Sequence, residues 1–207
     1  LHNTGHSFPT RRSSDLRTGY LGKILAIAYD WVQPALSRPE RDDLLNGLRE
    51  RAFYPFWQSV ERQLWWVNGR TNWMTCIVGG LGIAAMALEG EVERMEELRQ
   101  FSLERMTRYL EEYGPEGEFN ESPGYSTATR FPVEYFLALR YHTRGAENPL
   151  ARHPFPAFCR WLRHVTLPSG FLVPFGDTFF HNRPPPSLLF AIAHATRDPL
   201  IQWQALQ

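Results

Sequence analysis

Three stretches of the sequence place residues with usable chemistry where chain segments meet. In NGRTNWM (68–74) the amide of Asn72 stands at the start of an apolar helical run. Backbone N–H groups and the helix dipole at such a terminus favour an anionic ligand. In GEFNESPGYSTATR (117–130), Glu121, Tyr125 and Arg130 lie together in a loop shaped by glycine and proline that enters another helix. The third stretch, LAIAYDWVQPALSRPER (25–41), is by itself an amphipathic helix followed by a capped successor.

Almost every other segment shows helical periodicity, so helices must position these residues. Leu21, Ile24, Leu25, Ala28, Trp31 and Val32 recur at i, i+3 and i+4, and the run ends near Pro34. Ser37 then reads as an N-cap with Pro39 and Glu40 in the first turn. A second helix carries Leu44, Leu45, Leu48, Ala52, Phe53 and Phe56, with a kink expected at Pro55. WWVNGRTN is a loop on its Asn68-Gly69 pair, and Thr71 or Asn72 caps a third helix reaching Leu88. Gly79, Gly80 and Gly82 within it imply close helix packing, since neither dinucleotide nor Walker spacing is present. Further helices are expected at Glu91–Tyr113, Ser126–Thr143 and Phe155–Val165, with a last run from Ser187 onward. With almost no strand signal, an all-α chain of two packed helical layers follows. The loops at 64–72 and 114–125 are where a site would sit.

Bulk properties narrow the function classes. Lys+Arg and Asp+Glu balance at 22 each, which gives no basis for binding nucleic acid or an anionic membrane. No apolar run approaches the roughly 20 residues of a membrane span. Cys76 and Cys159 make neither a disulfide framework nor a metal-ligand spacing and read as buried thiols. His142, His153, His164 and His194 have no ligand partner at useful spacing, so no metal is expected, while His181 in GDTFFHN is a looser site candidate. Aromatics at 14%, with seven tryptophans, fit a large core and also fit a carbohydrate cleft.

The first sixteen residues stand apart. LHNTGHSFPTRRSSDL lacks the apolar region of a secretory signal, and no apolar run follows Arg11–Arg12 as a twin-arginine signal requires. Back-translated, His6–Leu16 resembles the read-through of a common sequencing adapter, with Leu1–His2 matching its upstream arm and Asn3-Thr4-Gly5 falling at the variable index. We therefore read 1–16 as an artefactual segment and 17–207 as one partial domain, cut at both ends from a longer protein.

Taken together, the three stretches resemble the helical domain of the heparinase II/III-like polysaccharide lyases, including related alginate lyases. Tyr29-Asp30-Trp31 with Leu36-Ser37 and Glu40-Arg41 looks like that family's early helix pair. Asn72-Trp73 looks like its substrate-carboxylate segment, Glu121 with Tyr125 like the segment carrying its catalytic tyrosine, and Phe175-Gly176-Asp177 like a later loop. The resemblance implies an incomplete α/α toroid, truncated before a β-sheet domain that supplies further catalytic groups, typically a histidine. It implies an acidic polysaccharide or oligosaccharide as substrate, no cofactor, and a periplasmic or secreted location. Trp73 stands where many relatives carry a histidine, which suits a heparinase-type variant better than an alginate one.

The implied reaction is β-elimination beside a uronic acid. The C5 proton is too weakly acidic while the adjacent carboxylate stays charged, so a neutralising donor is needed, and the resemblance assigns this to Asn72. Tyrosine has an unperturbed pKa near 10, so Tyr125 is suited to protonate the leaving oxygen. Arg130 would hold a sugar carboxylate or help ionise Tyr125, Glu121 would support the loop or touch substrate, and Trp66, Trp73 and His181 would contribute to sugar binding. Plainer readings stand beside these: Tyr125 as a core aromatic, Asn72 as an N-cap, Glu121 as a loop brace and the tryptophans as core. Two other functions remain open. One is a glycoside hydrolase on the same toroid using Asp30 and Glu121 as a carboxylate pair. The other is a saccharide-binding paralogue in which Arg130 or the tryptophans matter and Tyr125 does not.

Overall fold

A computed structural model describes residues 16–207, excepting the side chains of 126–128. The adapter-like reading of the amino-terminal segment lies, apart from Leu16, outside the described residues. Nine α-helices are described: α1 (Leu16–Val32), α2 (Arg38–Leu48), α3 (Tyr54–Glu61), α4 (Asn72–Ala87), α5 (Met95–Tyr109), α6 (Ser126–His142), α7 (Phe155–His164), α8 (Pro186–Thr196) and α9 (Pro199–Ala205). The described residues contain no strand, only two isolated bridges, Tyr113 with Phe119 and Thr166 with Leu172. The protein is all-α.

Helix α4 is the axis of the core. Every residue from Met74 to Met86 is buried, which requires neighbours on all sides, and α1, α5 and α6 supply them. The glycines are what allow the approach. A Cβ on Gly80 would stand 2.4 Å from the Gly19 carbonyl oxygen, and one on Gly19 would stand 2.2 Å from that of Cys76. Backbone touches backbone there, so the packing reading of the glycine run holds. The second group, α7, α8 and α9, packs on itself and meets α6 through α8.

The face that α1 uses differs from the one its periodicity suggests. Leu21, Ile24, Leu25, Trp31 and Val32 are exposed, while Gly19, Gly22, Ala26 and Tyr29 are buried. The glycine surface of α4 accepts only small residues at close range, so the small stripe of α1 wins over the large one.

The corner after α1 is set by a capping box. The Glu40 carboxylate accepts from the Ser37 backbone N–H at 2.8 Å and from its hydroxyl at 2.6 Å. Before Pro55 the helix widens into a π-turn over Arg49–Phe53, which accommodates the missing amide. The helix expected over 91–113 begins only at Met95. Gly90 and Arg94 adopt left-handed backbone, and Val92 tucks under the intervening turn. The last run divides at Arg197, where the Asp198 carboxylate caps α9 by accepting from the Leu200 and Ile201 amides. Asp198-Pro199 carries that signal in the sequence as an N-cap followed by an N1 proline.

Candidate active site

Two loops and one helix terminus converge. The 64–71 loop is pinned by Trp66 and Val67, both buried, and by Arg70, which donates to Glu112 at 3.0 Å and Glu111 at 2.7 Å just beyond α5. Thr71 takes the N-cap position of α4 without a side-chain cap bond, leaving Asn72 as the first helical residue. Its side chain is therefore not spent on capping. The Asn72 amide instead donates to the Tyr125 hydroxyl at 2.5 Å.

Tyr125 is brought there by a loop fixed at both ends. Phe119 is buried against Tyr113 and Tyr109, with ring centroids 5.3 and 6.4 Å away. Closer to the site, the Tyr125 amide donates to the Ser122 hydroxyl at 3.1 Å, and the Gly124 amide to the Thr178 hydroxyl at 2.7 Å. A Cβ on Gly124 would lie 2.6 Å from the Thr178 Cα, and one on Gly176 would lie 2.4 Å from the Glu121 carbonyl oxygen. The 175–178 turn thus rests directly on the Glu121–Tyr125 turn. Three segments singled out in the sequence, around Asn72, Tyr125 and Asp177, meet in space.

The electrostatics favour a protonated phenol. Partial burial raises the Tyr125 pKa above its ordinary value, the charges of Glu121 and Asp177 raise it further, and the Asn72 hydrogen bond works in the opposite direction. Glu121 is itself pushed up, first by partial desolvation and then by Asp177 and Glu112. Beneath them lies the buried Tyr109, whose hydroxyl is held well above its ordinary value by burial and then by the charges of Glu121 and Glu112. Because the phenol oxygen accepts from Asn72, its own proton is free to be donated elsewhere. The second amide hydrogen of Asn72 remains available to an incoming acceptor.

The other candidates fall differently. Arg130 donates to Glu134 at 2.6 Å, beside Lys23 on the same carboxylate, and is not among the groups acting on Tyr125. Trp66 is 2% exposed and packs on Phe56, so its assignment to substrate contact is corrected to core. A side chain sealed in that way has no face left for a sugar. Trp73 is half-buried and packs against Trp65, which is 63% exposed. His181 is exposed on the Asp177 loop, stacked on Phe179 at 5.8 Å. Asp30 lies exposed on α1, and the carboxylates acting on Glu121 are Asp177 and Glu112 instead. Asp177 and Tyr109 are site residues that the sequence reading does not assign. The Phe175-Gly176-Asp177 turn is visible as a motif, whereas nothing in the periodicity of α5 separates Tyr109 from other core aromatics. Among the described residues no group of His, Cys, Asp and Glu could hold a metal ion, and no helix is long and apolar enough to cross a membrane.

Compared with known proteins, the chain matches no family model and no curated protein sequence.

Proposed function

We propose that this chain is part of a polysaccharide lyase that cleaves beside a uronic acid by β-elimination. The observation that carries the reading is the Asn72–Tyr125 hydrogen bond. It pairs a neutral amide donor at a helix N-terminus with a phenol whose pKa is raised, the two groups the reaction asks for. Asn72 offers N–H to the substrate carboxylate and stabilises the charge that develops as the C5 proton passes to a base, the role the resemblance gives to the histidine of the β-sheet domain. Tyr125 gives its proton to the departing glycosidic oxygen. The product carries a C4–C5 double bond conjugated to the carboxylate. The resemblance to heparinase II/III-like lyases adds the α/α toroid and a β-sheet domain with a catalytic histidine to this reading.

Absorbance near about 230 nm, expected of a conjugated enoate from the elimination chemistry, tests the reading on hyaluronan, heparosan and alginate. The full-length parent protein should generate it and its Tyr125→Phe variant should not. An undiminished signal in Tyr125→Phe sinks the assignment.

One observation favours a second reading, a glycoside hydrolase. Partial desolvation and then the charge of Asp177 raise the pKa of Glu121, and a carboxylate held protonated beside a second carboxylate is the arrangement an acid and base pair needs. Reducing sugar released without the unsaturated chromophore would select it. Tyr125 would then be dispensable and Asp177 would not.

A further inference from the structure

In the loop that leads to Asn72, two adjacent indoles take opposite fates. Trp66 is driven into the core against Phe56, and the turn that carries both leaves Trp65 63% exposed. This exposure is not fraying. The Leu64 amide bonds the Ser59 carbonyl at 3.1 Å, the Val67 amide that of Leu64 at 2.9 Å, and the Gly69 amide that of Trp66 at 3.2 Å. The ring is fixed as well, since Trp73 stands against it with centroids 5.4 Å apart and planes inclined at 54°. Trp73 follows Asn72 in the first turn of α4, so the helix terminus that carries the Asn72–Tyr125 pair also carries the brace of the indole.

A rigidly held, exposed indole presents a large apolar face to water at a standing free-energy cost. The C–H edges of a pyranose ring form an apolar face of matching size, whose hydroxyls still reach solvent. A bound sugar would cover the indole without desolvating its own polar groups.

We infer that Trp65 is a sugar-stacking residue that holds the pyranose adjoining the one at Asn72 and Tyr125, and that Trp73 is its brace. The inference rests on the proposed saccharide function and names a residue that positions substrate rather than one that moves a proton. It commits the protein to an oligosaccharide of at least two units.

Calorimetric titration with tetrasaccharides of hyaluronan, heparosan and alginate, with cellotetraose alongside, tests it. At least one uronate tetrasaccharide should bind, and Trp65→Ala should weaken that binding by roughly tenfold, as expected for loss of one aromatic partner. Trp65→Phe should retain most of it. Unchanged melting of Trp65→Ala excludes a folding defect. Wild-type affinity in Trp65→Ala overturns the inference, as does failure of the native chain to bind any of these saccharides. The two readings separate cleanly: stacking lost in Trp65→Ala with no unsaturated product in any variant refutes the lyase and keeps the platform. Unsaturated product with an unchanged KM in Trp65→Ala refutes the platform and keeps the lyase.

Discussion

The Asn72 side-chain amide donates to the Tyr125 hydroxyl across 53 residues of sequence, and the bond fixes which way the phenol proton can point. With the oxygen accepting from one side, the O–H is left to donate elsewhere. The geometry makes the two residues a unit.

Loss of either member should therefore be costly, and loss of both should not be twice as costly. Tyr125→Phe should lower kcat/KM for elimination by about 10²-fold or more, the range for removal of a general acid. Asn72→Ala should lower it by a similar factor, about 10²-fold, as for removal of a charge-stabilising donor. The double variant should fall well short of the product of the two, because groups acting as a unit are not additive. Initial rates of chromophore formation for the three variants measure this directly, and full additivity would separate the two roles.

Burial first, and the charges of Glu121 and Asp177 after it, raise the pKa of the proposed acid. Both charges raise the pKa of Tyr125, so the phenol stays protonated to a pH above its ordinary value near 10. Removing either charge, in Glu121→Gln or Asp177→Asn, lowers that pKa. The alkaline limb of the pH–rate profile should then move to lower pH in both variants. A limb that moves upward or stays fixed would contradict Tyr125 as the acid.

The raised pKa of Glu121 also makes a statement about stability. The folded chain holds this proton more tightly than the unfolded chain, so the group favours folding below its unfolded pKa, and that contribution is lost as pH rises through the folded value. Partial desolvation and the neighbouring charges of Asp177 and Glu112 make its ionisation a burden on the folded chain. Glu121→Gln should raise Tm at pH 7, and the gain should shrink toward zero below the ordinary carboxylate range. Thermal melts at the two pH values settle it.

Much of the fold and part of the site are legible in the sequence. The Ser37–Glu40 box, the helix opening at Asn72 and the loop ending at Tyr125 are local signals, and local signals are written in neighbouring residues. What is not legible depends on partners far along the chain. The outward turn of Leu21, Ile24 and Leu25 follows from the glycines of α4, more than fifty residues on, which select the small face of α1. Asp177 enters the site only because Gly124 and Gly176 let two turns touch. Trp65 and Trp66 are identical in type and adjacent, so only the packing of Trp66 on Phe56 tells them apart.

Arg130 offers a contrasting expectation. Its guanidinium serves Glu134, which Lys23 also holds, on the side of α6 that faces Tyr20 and Phe131. Arg130→Ala leaves Glu134 its lysine and should cost about 0–1 kcal/mol of stability, as for an exposed ion pair. Elimination kinetics should stay close to the native values. A KM raised by an order of magnitude would instead return Arg130 to the role of carboxylate anchor.

The contact between Gly124 and Thr178 ties the fold to the chemistry most directly. A methyl group at residue 124 would meet the Thr178 Cα at 2.6 Å, and a backbone atom cannot swing aside as a side-chain tip can. Gly124→Ala must therefore push the 175–178 turn away and break the 2.7 Å bond from the Gly124 amide to the Thr178 hydroxyl. Overpacking of this kind costs about 1–3 kcal/mol. Because Tyr125 is the next residue, the displacement also carries the phenol away from Asn72, and misplacement by about 1 Å can cost 10²-fold in rate. Gly47 provides the control. It lies within α2 with no atom within 4 Å of a would-be Cβ, so Gly47→Ala should stabilise the helix by about 0.5–1 kcal/mol and leave the rate alone. Opposite shifts of Tm in the two variants, with loss of activity confined to Gly124→Ala, would show that the turn-on-turn contact holds Tyr125 in register.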